Sequence, residues 1–455
     1  MAHEAMEAVA EQPFASRRVS GMFSSRARVE AMLRVEAALA AAEADVGIVP
    51  ADAAAAIAAA CDVDHLDIPS LEREATVAGT LVIPLVRRLT ELVPMEARGW
   101  VHLGTTSQDV LDTALMLQAR EALPAIEEEL VGVGEACAGL ASAHAATVMP
   151  GRTLLQHATP ITFGVKAAHW LASVTRQLLH LAELRQALPL QFGGAAGTLA
   201  VLGDEAERVT QRVAEELGLI VPDLPWHTDR DVVAHLTASL AITAGAMAKI
   251  ATDVALSMQT EVAELAEGAE PGAGTSSAMP QKRNPVRAPA AIAAARLAAG
   301  AATVVLGGLA QEHERGVGSW HAEWVAVPDA FRYAAGAVEH VRAIVEGIQV
   351  DPERMRANID AGGGLSMAEA LVAAATPSLG RDEAFRVVAR ACDRAVREGI
   401  GLREVALQDE DLRRTLTSEG IDAALDPGSF LGSSARFAAH AVERFREVRE
   451  ADPGP

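Results

Sequence analysis

Residues 232–267 read VVAHLTASLAITAGAMAKIATDVALSMQTEVAELAE, 36 residues with no proline and one glycine, Gly245. Leu236, Leu240, Met247, Ile250, Val254, Met258 and Leu265 recur at spacings built from threes and fours, which is one face of a single helix. At 1.5 Å per residue that helix spans about 54 Å. A helix of that length is buried only within a bundle larger than one small domain.

Working outward, similar helical patterns cover about 109–145, 163–187 and 289–312. Val350-Asp351-Pro352 reads as a break followed by a new helix N-terminus. Gly104 and the hydroxyls of Thr105, Thr106 and Ser107 precede the helical run that starts near 109. These two breaks predict three segments: an N-terminal helical domain at 1–105, a central long-helix bundle at 106–350 and a C-terminal helical domain at 351–455. Strand signals are few, and the Gly-rich stretch 190–202 (LQFGGAAGTLAVL) reads as a loop. No repeat of 20–50 residues is visible. The fold class expected is all-α.

The bulk composition agrees. Of 455 residues, half are apolar but only 3% are aromatic, so the core is filled by Ala, Leu, Val, Ile and Met, side chains that let helices approach closely. A formal charge of −22 disfavours nucleic acid and anionic lipid as partners. An anionic substrate then requires a pocket with its own cations. Cys61, Cys137 and Cys392 lie far apart and are odd in number, which fits idle thiols in a reducing cytoplasm. The N-terminus shows no apolar signal region and no 18-residue apolar run is seen, so neither a secretory signal nor a membrane span is expected.

Residues 268–285, GAEPGAGTSSAMPQKRNP, interrupt the helices with glycines, prolines, two serines and a Lys-Arg pair. Long loops inside compact domains are usually functional or disordered, and a plain linker needs neither hydroxyls nor cations. Ser276 is a poor base in water. It becomes a competent one if hydrogen-bond donors and the nearby Lys282 steady its oxyanion in a site closed to water. Two further clusters precede long helices. His102 to Asp109 reads plainly as a helix cap, and functionally as a carboxylate site built from hydroxyls and free N–H groups. Residues 151–160, GRTLLQHATP, crowd Arg152, Gln156, His157 and Thr159 together between apolar helices. A lone histidine is more often structural than catalytic, and these neighbours give His157 its weight. Residues 311–315 (QEHER) and 320–324 (WHAEW) lack H-x-x-x-H or H-E-x-x-H spacing, so no metal is expected. No nucleotide-binding glycine motif and no G-x-S-x-G elbow is present.

These three clusters, in this order, resemble those of the fumarase/aspartase superfamily. Its signature loop, G-S-S-x-M-P-x-K-x-N-P, is matched by TSSAMPQKRNP at 275–285, with Thr275 in the place of the glycine. The similarity extends over nearly the whole chain. Segments 151–160, 190–197, 225–228, 311–315 and 320–324 are most similar to the carboxymuconate cycloisomerase branch. Leu154 stands where fumarases and the adenylosuccinate and argininosuccinate lyases usually carry histidine, and where the cycloisomerases often carry tryptophan. Thr80 and Gly362-Gly363-Gly364 also depart from the cycloisomerase pattern.

The resemblance implies a three-domain all-α subunit whose central helices form a homotetramer, with each active site drawn from three subunits. It implies no cofactor, no metal and a small polycarboxylate substrate. Ser276 is then the base, Lys282 a catalytic cation and His157 an acid or orienting group. Thr105, Thr106, Ser107, Arg152, Gln156, Ser277, Met279, Asn284 and Arg315 are the expected substrate-binding residues. Two chemistries fit: lactone closure on carboxymuconate, or elimination of a nitrogen group from a substituted succinate to leave fumarate, as in nitrosuccinate lyases.

Overall fold

The structure is a computed structural model that describes residues 13–268 and 274–451. The first part of the signature loop, 269–273, and most of the N-terminal stretch read for a signal lie outside the described residues. The chain is helical nearly throughout. Five short or medium helices come first: α1 (Arg17–Met22), α2 (Ser25–Asp45), α3 (Ala51–Ala60), α4 (Ile68–Ala78) and α5 (Val82–Leu92). The long central helices are α6 (Ser107–Ala143), α7 (Phe163–Gln186), α9 (Asp231–Ser257), α10 (Arg287–Gly307) and α11 (Ser319–Gly347), with α8 (Ala206–Leu217) between α7 and α9. Then follow α12 (Pro352–Asp360), α13 (Ala368–Leu379), α14 (Arg381–Glu398), α15 (Leu402–Gln408), α16 (Glu410–Thr415), α17 (Ser418–Leu425) and α18 (Ser434–Ala451).

Apolar side chains form two cores. The larger one joins the N-terminal helices to the central bundle and includes Leu33, Leu117, Trp170, Met247 and Phe331. The smaller one lies among α13–α17, around Leu371, Val388, Leu402 and Ile421. The last helix returns to the larger core through Ala438, Val442 and Phe445. Gly134 makes that docking possible, since a Cβ there would stand 2.4 Å from the Phe445 ring.

The helix expected over 232–267 is shorter than its pattern. It stops at Ser257, so 27 residues span about 40 Å. The chain then folds back, with the Glu264 N–H donating to the Ser257 carbonyl, and Leu265–Ala266 pairs as β3 with β4 (Gln349–Val350). Leu265 continues the helical spacing by coincidence; it is buried from a strand. The run expected at 289–312 likewise ends at Gly307. The break at 350–352 is present, with Asp351 capping α12 through the Arg354 N–H.

One hairpin escaped the sequence reading. Residues 151–160 lie in β1 (Val148–Thr153) and β2 (Gln156–Thr162), antiparallel, with Thr153 opposite Gln156 and Arg152 opposite His157. Its two turn residues are Leu154 and Leu155, both left-handed at φ 51° and 64°. The missed signal is intelligible, because turns with two positive φ values ordinarily use Asn and Gly.

Helices α9 and α10 are long and apolar enough to cross a membrane by length and composition alone, but neither is an uninterrupted apolar run: Lys249 and Asp253 break α9 and Arg296 breaks α10. Their buried faces pack into the bundle. Their open faces carry Ile242, Leu256, Leu297 and Val304.

Candidate active site

The N-terminus of α6 is the best-organised part of the site. Thr106 is its N-cap and Asp109, three residues on, accepts the Thr106 N–H at 3.1 Å in a capping box. Asp109 does more than cap. Its buried carboxylate also accepts from the Gln191 side chain, the Gly193 and Gly194 N–H groups, the Thr105 hydroxyl and His227. Gly194 is left-handed at φ 69°, and a Cβ there would meet the Gly104 carbonyl at 2.9 Å. The loop 190–197 therefore lies directly against the Thr105–Ser107 segment.

Arg315 reaches the same place. Its guanidinium donates to Gln108 Oε1 at 3.2 Å, Thr106 Oγ1 at 3.3 Å and the Ala195 carbonyl at 3.2 Å. It has no carboxylate partner among the described residues, so its charge is free to meet an anion beside the Thr106 hydroxyl and the start of α6. Ser107 opens the helix, half-buried next to them.

Beneath this surface lies a buried ionic network. Arg230 pairs with Asp112 at 2.7 Å and Glu323 at 2.5 Å and stacks over Trp226, while Trp320 Nε1 donates to Asp112. Gln311 also binds Glu323. Gln311, Trp320 and Glu323 thus belong to this buried network. Among the described residues, no group of three His, Cys, Asp or Glu side chains could hold a metal ion.

The hairpin gives a mixed result. Gln156 and His157 are exposed on β2, and His157 faces Gly362, whose Cβ would stand 4.0 Å from Nδ1. Partial desolvation and the neighbouring Arg152 charge push the His157 pKa below the ordinary histidine value, which favours its neutral form. Arg152 is committed elsewhere: it forms a fork with Glu264 at 2.8 and 2.6 Å, and Asn358 completes that carboxylate. The pairing leaves Arg152 a poor candidate for a substrate clamp. It anchors the hairpin instead.

The signature loop is pinned at both ends. Asn284 N–H donates to the Gly274 carbonyl, Thr275 bridges Arg283, and the Glu267 carboxylate caps the first N–H groups of α10. Within it, Ser276 Oγ accepts backbone N–H groups from Met279 at 3.0 Å and Ala278 at 3.3 Å. Ser277, Met279 and Lys282 are exposed and Asn284 is half-buried. Lys282 makes no ion pair among the described residues. Neither does any hydrogen bond or ion pair join Ser276, Lys282 or Asn284 to Thr106, Gln156 or His157 within the chain.

Residues the sequence reading passed over include His227, Gln191, Arg230, Glu264 and Glu267. Their signal was polar side chains in otherwise apolar stretches, and that signal does not say which distant group each one meets.

Fold and site together define a helical lyase: the chain belongs to the fumarase/aspartase superfamily. The lyase family model matches residues 14–300, and a model described as the adenylosuccinate lyase C-terminus matches 364–441. More particularly, the chain is 44% identical over 425 residues to a 3-carboxy-cis,cis-muconate cycloisomerase of Pseudomonas aeruginosa, covering 92% of this chain and 93% of the relative. It is 41% identical over 435 residues to a nitrosuccinate lyase of Streptomyces davaonensis, covering 93% and 92%. The crystal structure of the 3-carboxy-cis,cis-muconate lactonizing enzyme of Pseudomonas putida superposes with a TM-score of 0.90 at 41% identity, covering 97% and 99%.

Proposed function

We propose that the chain is a cycloisomerase acting on carboxymuconate or a close analogue. The observation that carries its chemistry is the pair of backbone N–H groups aimed at Ser276 Oγ. Donors fixed on a serine oxygen stabilise its anion, and exclusion of water strengthens them further. Lys282 adds a nearby cation. In the closing direction a substrate carboxylate oxygen adds to one alkene carbon, and the neighbouring carbon, beside a second carboxylate, receives a proton. In the reverse direction Ser276 removes that proton. The enediolate-like charge that develops is met by Lys282, Asn284 and Arg315, with the hydroxyls of Thr105, Thr106 and Ser107 on the same side. Gln156 and His157 orient the substrate, and Ser277 and Met279 line the loop.

The separation of the loop from the other two segments within one chain supports sites shared between subunits of a homotetramer. The open apolar faces of α9 and α10 supply the contact. The same reading divides the chain at about 105 and 350 and, with three free cysteines, places it in a reducing cytoplasm.

The test has two arms. Ser276→Ala lowers turnover by orders of magnitude while the assembly stays intact; near-normal turnover removes the mechanism. Mixed assemblies of Ser276→Ala and His157→Ala chains, each inactive alone, regain activity if sites are shared; continued inactivity places every site within one chain.

A second reading rests on the nearly equal identity to a nitrosuccinate lyase. Loss of the muconate diene absorbance supports the cycloisomerase, whereas fumarate released from nitrosuccinate supports the elimination.

A further inference from the structure

Helices α7 and α18 border an open groove of about 370 Å³ on the flank of the bundle. Its apolar lining includes Ala168, Ala172, Leu179 and Phe437, the last two partly open to solvent. Every charged or ionisable side chain that lines it is basic: Arg176 and His169 from α7, Arg444 and His440 from α18. On a chain with a formal charge of −22, two arginines flanked by two histidines around one groove with no lining carboxylate are a marked local reversal. Arg176 makes no ion pair among the described residues. Arg444 pairs with Glu447 one turn on, but both side chains are more than half exposed, at 54% and 57%, and an exposed pair of this kind is readily exchanged for a better anion.

The helices present these groups for a geometric reason. Ala168, His169, Ala172, Arg176 and Leu179 follow the three- and four-residue spacing of one helical face, as do Phe437, His440, Ala441 and Arg444. The small residues open the groove, and the arginines stand over it. The volume lies at the small end of the range for small-molecule sites. Guanidinium groups bind carboxylates through paired hydrogen bonds, and an apolar floor takes the body of such a ligand.

We propose that this groove is a second binding site, separate from the active site, for a small organic acid with one carboxylate on an apolar body. None of Arg176, His169, His440 and Arg444 is among the residues assigned to the active site, so the proposal stands apart from the assignment of the reaction. The last helix is the chain's return to the larger core, and an occupant held by both arginines ties α18 more tightly to α7.

The experiment is calorimetric titration of the full-length protein with phenylacetate. The wild type binds, and the Arg176→Ala/Arg444→Ala double variant binds about tenfold more weakly or worse, as expected for losing two charge-assisted contacts. Arg176→Lys/Arg444→Lys recovers part of the affinity, because charge is kept while the fork is lost. Turnover of the substrate is unchanged in these variants. Any phenylacetate held at the active site persists in the double variant, so the difference isolates the groove. The proposal is overturned if the wild type does not bind or if wild type and double variant bind alike. It is also overturned if the double variant changes the molecular mass in light scattering, which would make the groove a contact between copies of the chain.

Discussion

His227 Nε2 stands 2.7 Å from Asp109 Oδ1, and both side chains are buried. That single carboxylate ties the start of α6 to the loop 190–197 and to the segment around Trp226. Through them it fixes Thr106 and the Ala195 carbonyl that Arg315 grips.

Asp109→Asn keeps the size of the side chain but removes its charge and one acceptor, and turns a donor toward N–H groups. We expect kcat/KM to fall by about a hundredfold or more, and urea denaturation to report a loss of ~1–3 kcal/mol, because buried N–H donors of Gly193, Gly194 and Thr106 lose an acceptor. A normal KM in a stable variant would show that Arg315 is held by other means.

Glu43 is fully buried with neither carboxylate oxygen hydrogen-bonded. Burial, reinforced by the nearby Glu36 charge, pushes its pKa up to about 8. Above about pH 4.5 the unfolded chain releases a proton that the folded chain keeps, so stability falls as pH rises and levels off beyond pH 8. Glu43→Leu therefore stabilises the protein by about 2–3 kcal/mol at pH 7 and by little near pH 4.5. Melting curves at the two pH values check it; an equal gain at both would show that packing, not ionisation, is responsible.

His102 donates to Glu36 at 2.6 Å from a left-handed backbone position, φ 61°. Burial opposes its positive form, but the charge and hydrogen bond of Glu36, with help from Asp109, outweigh burial and raise its pKa. The stability this gives is present below the unfolded pKa of about 6.5 and is lost as pH rises through the folded value. In a Glu43→Leu background, Glu36→Gln lowers the His102 pKa measured by NMR, and costs more stability at pH 6 than at pH 9.

The Leu154-Leu155 turn carries two left-handed leucines that are 96% and 71% exposed. Each pays about 1–2 kcal/mol for its conformation. Replacing the pair by Asn-Gly raises the urea midpoint without changing the slope, a gain of about 1–2 kcal/mol. A simultaneous rise in KM would mark the leucines as substrate contacts; a fall in stability would mean the turn is not strained.

The three polar segments were legible because chemistry concentrates unusual residues. Ser276, Lys282 and Asn284 interrupt a helical chain where nothing structural calls for them, and the Thr105–Ser107 hydroxyls precede a helix. The ion pair of Arg152 was not legible because its partner, Glu264, lay inside what reads as the end of a helix. The hairpin was missed because leucine is a poor predictor of a two-residue turn.

The order of elements and the helical class follow from the sequence alone, since a three-and-four spacing of apolar residues states which face of each segment leaves water. Where a helix ends, which carboxylate an arginine meets and how one aspartate gathers six donors were decided only in three dimensions. Those choices depend on groups more than 80 residues apart, such as Asp109 and His227 at a separation of 118. No local pattern encodes a partner at that distance; the cost of leaving a buried charge unpaired selects it once the chain has packed.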